Sequence, residues 1–399
     1  MAALGRVAGL LAAAALALPL AGCWSSNELN NRAFVSVIVV DRTDEGIELT
    51  LGIPLTNRLI PGQTGGTGGG GNQRPTAFVT RSGVSLEDAL QKIQGDIPRR
   101  VAFGQTHSIV MGERFVREGI EPVLEFVARN PFLRLNTNLF MVNGLAKSKV
   151  ADMPDSFERF FVTVLNGYVR NHQILSTTVK DLMFDKANGG DGALPILRFD
   201  GAMPKSGAGP SVGTSGCVLL RKGKLAALLT PEEASAVRVV TGQLKQYTYS
   251  IQSPTDGRNI GFYTTSFHME IKPYRTKSGL GIFVRSTSHV GIIASDSTID
   301  LNKPANIERL EQEIKLMADK TVQRVLEQSK AAETDAFNFA RYISVQYPRE
   351  WKKIKGNWRA YYKDRLEVNV DSVIQLRRVG SSTESLRTSF LDDGTPEKP

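Results

Sequence analysis

The sequence predicts an α+β protein of more than one domain, with mixed and antiparallel sheets, packed helices and no transmembrane span in the mature chain. Three observations carry this. Apolar runs of strand length alternate with amphipathic helical segments from Ala33 to Val142, the pattern of mixed α and β structure. Long strand candidates at Gln246–Ile251, Gly261–Lys272 and Gly281–Ala294 follow one another directly, which reads as an extended antiparallel sheet. After residue 22 no apolar run approaches the roughly 20 residues that a membrane helix needs. A chain of 399 residues also exceeds what one core usually holds.

The first 22 residues read as a targeting segment. Met1–Arg6 carries one positive charge, and Val7–Leu18 is an apolar stretch too short to span a bilayer. Leu20-Ala21-Gly22-Cys23 then forms a bacterial lipobox, which predicts cleavage between Gly22 and Cys23 and diacylglycerol on the Cys23 sulfur. Two acyl chains, each contributing about 0.8 kcal/mol per buried CH₂, anchor stably where one is marginal. The alternative is an ordinary secretory signal in which Cys23 is a coincidence. With Cys23 lipidated, Cys217 has no partner and reads as a small core residue. The 41% hydrophobic and 22% charged content is ordinary for a globular body, and the formal charge, +9 for the full chain and +9 − 1 = +8 once Arg6 leaves with the signal, suggests weak affinity for anionic surfaces.

In order, Ala33–Val40 reads as a buried strand ending at Asp41, and a turn at Asp44-Glu45-Gly46 pairs it with the alternating strand Ile47–Leu55. Gly65–Gly71, within a glycine-rich loop from Gly62, lacks the Gly-Lys-Ser/Thr ending of a phosphate loop and reads as a flexible surface segment. A strand at Thr76–Arg81 leads to a helix with Ser85 as N-cap and Leu86, Ala89, Leu90 and Ile93 on its apolar face. His107–Met111, Gly119–Arg129 and Thr137–Val142 read as strand, helix and strand, and further helices are expected at Ser156–Val169 and Thr178–Lys186.

Asp200–Gly216 is dense in Gly, Ser and Pro and marks the main boundary. It divides the mature chain into a domain over 23–205, a linker over 206–216, a second domain over 217–380 and a disordered tail over 381–399. Gly209-Pro210-Ser211-Val212-Gly213 matches the Gly-x-Ser-x-Gly of hydrolase elbows, but a strand candidate follows Ser211 where the elbow needs a helix.

The second half opens with a hairpin, Cys217–Leu220 and Leu225–Leu229 around Lys222-Gly223, then a short helix after Pro231. Pro304 starts a helix with Ile307, Leu310, Ile314, Met317, Val322 and Val325 at helical spacing, and Asp335–Val345 is another candidate. A helix after Pro348 carries Trp351, Ile354, Trp358 and Tyr361 on one face and Lys352, Lys353, Lys355, Arg359 and Lys363 around the other. The basic side reads as a solvated face. The aromatic side reads as core, with docking on a partner as the alternative. Leu366, Val368 and Val370 form a last strand. His107, His172, His268 and His289 are scattered with no spacing of a zinc site, so no metal is expected; no cofactor and no nucleic-acid partner are expected either.

Cys23-Trp24, then Glu28-Leu29, Arg32-Ala33 and the strand ending in Asp41, resemble the start of the Ger(x)C family of spore germination lipoproteins. So do Gly83-Val84-Ser85-Leu86-Glu87-Asp88-Ala89, Pro98-Arg99-Arg100 and Phe103-Gly104-Gln105-Thr106-His107. Asp335-Ala336-Phe337, Tyr347-Pro348-Arg349-Glu350-Trp351 and Asn357-Trp358 look like the family's closing region. Two departures are Asn338-Phe339-Ala340, where a Gly-containing turn is expected, and the Gly65–Gly71 insertion. The resemblance implies a non-catalytic C subunit of a nutrient germinant receptor, lipid-anchored on the outer face of the spore's inner membrane. Its partners would be membrane-embedded A and B subunits, with direct germinant binding left open. The rival readings are a lipid-anchored solute-binding protein and a surface hydrolase using Ser211.

Overall fold

The computed structural model describes residues 29–55, 75–151, 160–199 and 212–378. In chain order the elements begin with β1 (Arg32–Phe34), β2 (Val37–Thr43), β3 (Gly46–Pro54), β4 (Thr76–Gly83), α1 (Leu86–Asp96), β5 (Arg100–Ala102) and β6 (Ser108–Gly112). Next come α2 (Glu113–Glu118), α3 (Glu121–Arg129), β7 (Asn138–Val142), α4 (Ala146–Ala151), α5 (Phe161–Arg170), α6 (Val179–Ala187) and β8 (Gly192–Phe199). The second half holds β9 (Val212–Arg221), β10 (Lys224–Leu229), α7 (Pro231–Val240), β11 (Thr248–Gln252), β12 (Asn259–Arg275) and β13 (Leu280–Ser295). It closes with α8 (Pro304–Ala331), α9 (Phe339–Gln346), α10 (Pro348–Ile354), α11 (Trp358–Asp364) and β14 (Glu367–Arg378).

The fold is α+β, as the sequence predicts. Its centre is an eight-stranded sheet in the order β10-β9-β8-β7-β6-β2-β3-β4. Strands β2, β6, β7 and β8 run parallel in the middle, and antiparallel strands flank them on both sides. The parallel strands are buried on both faces, which explains their continuous apolar runs. Helices α1, α2 and α3 cover one face around Leu49, Ile93, Ile109 and Phe126, and α5 packs on the other around Val110, Phe140 and Leu165.

A second sheet, β11-β12-β13-β14, is antiparallel over its first three strands, as the sequence predicts, while β14 lies parallel to β13. Helices α8 to α11 intervene between β13 and β14, and this long crossover permits the parallel pairing. Helix α8 also shields the free edge of β14. Asp319 and Glu311 accept from the Ser372 and Leu376 amides (2.9 and 2.7 Å), and Lys315 donates to the Ser372 carbonyl (2.9 Å). An edge that could pair with another chain is thereby occupied.

Several local expectations are corrected. The strand expected over Ala33–Val40 breaks at Val35–Ser36 because the chain changes partners there: the Val35 amide bonds to Ala102 and the Ser36 amide to Gly52, each at 2.9 Å. Residues 212–216, expected as linker, belong to β9, where Val212–Thr214 pair with Leu197–Phe199 of β8. Strand β8 itself was not anticipated, since Pro195 argues against a central strand; the ladder accommodates it at a register shift between Pro195 and Leu197. The single helix expected after Pro348 is α10, a 3₁₀ turn over Lys355–Asn357 and α11, interrupted where Gly356 and Asn357 weaken helix propensity. The Gly62–Gly71 loop, residues 206–211, the tail and most of the segment before α5 lie outside the described residues, as do residues 1–28.

Strand β9 joins the two halves. Val218 and Leu220 face the core under α1 to α3, while Cys217 and Leu219 face a second core built from α7, α8, α9, α11 and β13. The alternation of a strand thus places one apolar side in each core.

A buried carboxylate junction as candidate functional site

The closing motif converges on Asp335. Helix α8 ends with Glu333 in the left-handed region (φ +53°), which turns the chain back toward β9. Asp335, 1% exposed, then accepts from the Phe339 and Ala340 amides (2.9 and 2.8 Å), satisfying the first turn of α9. Its Oδ2 also accepts from Trp358 Nε1 at 3.1 Å. Burial pushes the Asp335 carboxyl up to about 6, against three hydrogen bonds that favour its charged form.

Asn338 begins α9 with φ +61°, so asparagine fills the left-handed position that a glycine-containing turn was expected to supply. Its Nδ2 donates to Asp185 Oδ1. Burial, and then the neighbouring Asp181 and Asp335 charges, hold Asp185 at about 7.

Asp191 forms the opposite wall. It accepts from the Lys222 amide in the β9–β10 turn (2.8 Å) and from the Asp335 amide (3.3 Å), and pairs with Arg359 at 2.6 Å. The Asp191 amide in turn donates to the Asp335 carbonyl at 3.0 Å. Arg359 therefore leaves the solvated basic face expected for it, whereas Lys352, Lys353, Lys355 and Lys363 are exposed. Below, Tyr362 Oη and Ser329 Oγ lie 2.8 Å apart, Ser329 bonds to the Thr334 carbonyl, and Thr334 reaches the Leu220 carbonyl.

Trp358 is 3% exposed and stacks in the second core. Trp351, half-buried, meets it edge-on with ring centroids 5.3 Å apart. Pro348 occupies the start of α10, where its missing N–H costs nothing. Gly189 (φ +83°) passes so close to the Trp351 ring that a Cβ would sit 3.3 Å from it. The motif residues Asp335, Pro348, Trp351 and Trp358 are thus brought together, and both rings face the protein interior.

Asp41 lies apart, in β2. It is 1% exposed and accepts from the Ala146 and Lys147 amides, both at 2.7 Å, capping α4. Burial raises its carboxyl above the usual range despite these bonds. Gly112 approaches so closely that a Cβ there would overlap Asp41 Oδ1. Leu29 is exposed in a 3₁₀ turn. Gly22, Cys23, Trp24, Glu28 and Ser211 lie outside the described residues, and β9 begins at Val212 where a hydrolase elbow would begin a helix. Cys217 is free and buried, and burial pushes its thiol up. Among the described residues no group of three or more His, Cys, Asp or Glu could hold a metal, and no helix is long and apolar enough to cross a membrane.

Asp185, Asp191 and Asn338 were missed as partners of Asp335. The available signal was Asn188-Gly189-Gly190-Asp191, a turn immediately before an apolar run. Each carboxylate here is engaged by amides, an indole or a guanidinium, and the arrangement acts as a polar lock between the central sheet and the C-terminal helices.

The fold is thus a mixed α+β architecture in which a central sheet covered on both faces is joined to a second sheet and its helices. The family model for the spore germination protein N-terminal domain matches residues 25–199. That for the spore germination B3/GerAC-like C-terminal region matches residues 215–380. The chain belongs to this family of spore germination proteins. Spore germination protein KC of Bacillus subtilis is 22% identical, over 97% of this chain and 98% of its own length. Spore germination protein B3 of the same organism is 23% identical, over 86% and 90%. The crystal structure of the GerBC protein superposes with a TM-score of 0.55 at 18% identity, over 85% of this chain and 96% of that one, and shares the fold.

Proposed function

We propose that this chain is the lipid-anchored C subunit of a nutrient germinant receptor. It is held by Cys23 on the outer surface of the spore's inner membrane and acts without catalysis, through assembly and signalling with membrane-embedded A and B subunits. The observation that carries the reading is the match of both family models in order along the chain, over 25–199 and 215–380, directly after the lipobox at Leu20–Cys23. The engagement of the junction carboxylates by structural donors supports a scaffold rather than a reactive site. An apolar leader ending in cysteine supports anchoring, since two acyl chains suffice for stable attachment.

The test is a Cys23→Ala variant in a spore-forming host, followed by lipid labelling, membrane fractionation, co-purification of transporter-like receptor subunits and nutrient-triggered germination. Labelling and membrane retention should be lost, and nutrient germination through this receptor should fall. Unchanged labelling would overturn the anchor, and wild-type chain that never co-purifies with a multi-span subunit would overturn the receptor assignment.

A further inference from the structure

A cavity of about 470 Å³ lies between α7, α8 and the face of the second sheet, away from the junction. Its size falls within the range of small-molecule sites, roughly 300–1,000 Å³. The floor is apolar, with Ile314 and Met317 from α8. Tyr247, Tyr249 and Phe267 supply aromatic walls, and the two tyrosine rings stack at 5.7 Å.

Thr264 and Ser288, only 5% and 8% exposed, add hydroxyls to this lining. Neither hydroxyl is tied to another side chain among the described residues, and neither oxygen is sealed from solvent. Both are therefore open to accept from, or donate to, a polar group that enters the cavity. Glu232 is the one charged residue among those lining the cavity, which include no lysine or arginine. Thr321 Oγ1 lies 3.2 Å from one Glu232 oxygen and 2.9 Å from the Met317 carbonyl, sharing its single proton between them, which places the carboxylate at the rim.

A carboxylate, hydroxyl acceptors and aromatic faces together match an N–H-rich cation. Ring faces attract ammonium groups, and hydroxyl oxygens accept from them. An anion would meet the Glu232 charge with no compensating cation. We infer that this cavity binds a small organic ammonium compound with an apolar flank, the ammonium lying toward Glu232 and the flank against Ile314 and Met317. The assignment goes beyond the receptor reading and stands or falls separately from it.

The experiment titrates the full chain, purified in detergent, with three probes of one shape: 2-phenylethylammonium, 2-phenylethanol and 3-phenylpropionate. The ammonium should bind saturably and at least ten-fold more tightly than the alcohol, with the carboxylate weakest. Glu232→Gln, an exposed and nearly isosteric change, should abolish the preference for the ammonium over the alcohol at an unchanged melting temperature. Should that variant melt differently, Thr264→Val provides the second reading, deleting one acceptor at constant volume and weakening ammonium binding several-fold. Absence of saturable ammonium binding, equal binding of the carboxylate, a preference surviving Glu232→Gln, or undiminished affinity in Thr264→Val would each overturn the assignment.

Discussion

Trp358 Nε1 donates to Asp335 Oδ2 at 3.1 Å across 23 residues of chain, and this bond joins the turn before α9 to the start of α11. Both groups are buried, so the indole fills volume and also satisfies a carboxylate. These two roles separate experimentally. Trp358→Phe keeps an aromatic ring but leaves Asp335 one donor short, and should cost about 1–3 kcal/mol. Trp358→Ala adds a cavity and should cost about 3–5 kcal/mol. Denaturant unfolding of the full chain measures both, and a Trp358→Phe variant as stable as wild type would show that the hydrogen bond contributes nothing.

Trp351 is half-buried on the edge of the same cluster, so Trp351→Ala should cost less than Trp358→Ala, about 1–3 kcal/mol. A melting transition unchanged in this variant, with lost association to a partner, would assign the ring to an interface instead.

The junction should give stability a pH dependence. A carboxyl held at about 7 in the folded chain, against an ordinary 3.8, binds more protons folded than unfolded between those values. Its contribution is therefore full below about pH 4 and is lost as pH rises through about 7. Asp335, at about 6, acts in the same direction. Asp185→Asn retains an acceptor for Asn338 and removes the titration. It should leave stability at pH 3.5 little changed relative to wild type and raise it at pH 8 by several kcal/mol, at about 1.4 kcal/mol per unit of pKa displacement. Urea midpoints at the two pH values decide, and a parallel pH profile in the variant would refute the assignment.

Cys217 should be inert in the folded chain, because it is buried in the second core and burial disfavours its thiolate. Labelling by a thiol reagent should track unfolding in urea. Rapid modification of the native chain would show that β9 is open to solvent.

Asp41→Ala would orphan the Ala146 and Lys147 amides at the start of α4 and should cost about 2 kcal/mol. Proteolysis should then first cut near α4. A variant as stable and as resistant as wild type would deny the cap its role.

Much of the fold was legible because local patterns agree with it. Ser85 accepts from the Asp88 amide as its position before an apolar helical stripe implies, and the β9–β10 turn falls at Lys222-Gly223. The Asn338 departure from the expected glycine was legible only in part, since asparagine is the other residue that tolerates the left-handed region. Strand β8 was hidden by Pro195, whose lost donor matters only once the register shift with β9 is known.

By itself the sequence determined the α+β class, the order of most helices and strands, the lack of a long apolar run after residue 22 and the motifs that resemble one family. These follow from periodicity, capping and turn chemistry, which act over a few residues. Tertiary structure alone decided that β9 serves two cores, that β14 runs parallel to β13, that Arg359 turns inward to Asp191, and that Asp335 meets Trp358 on one side and Asp191 on the other. Such pairings join residues far apart in the chain. The cost of burying a charge selects them only when packing has removed the water that would otherwise solvate it.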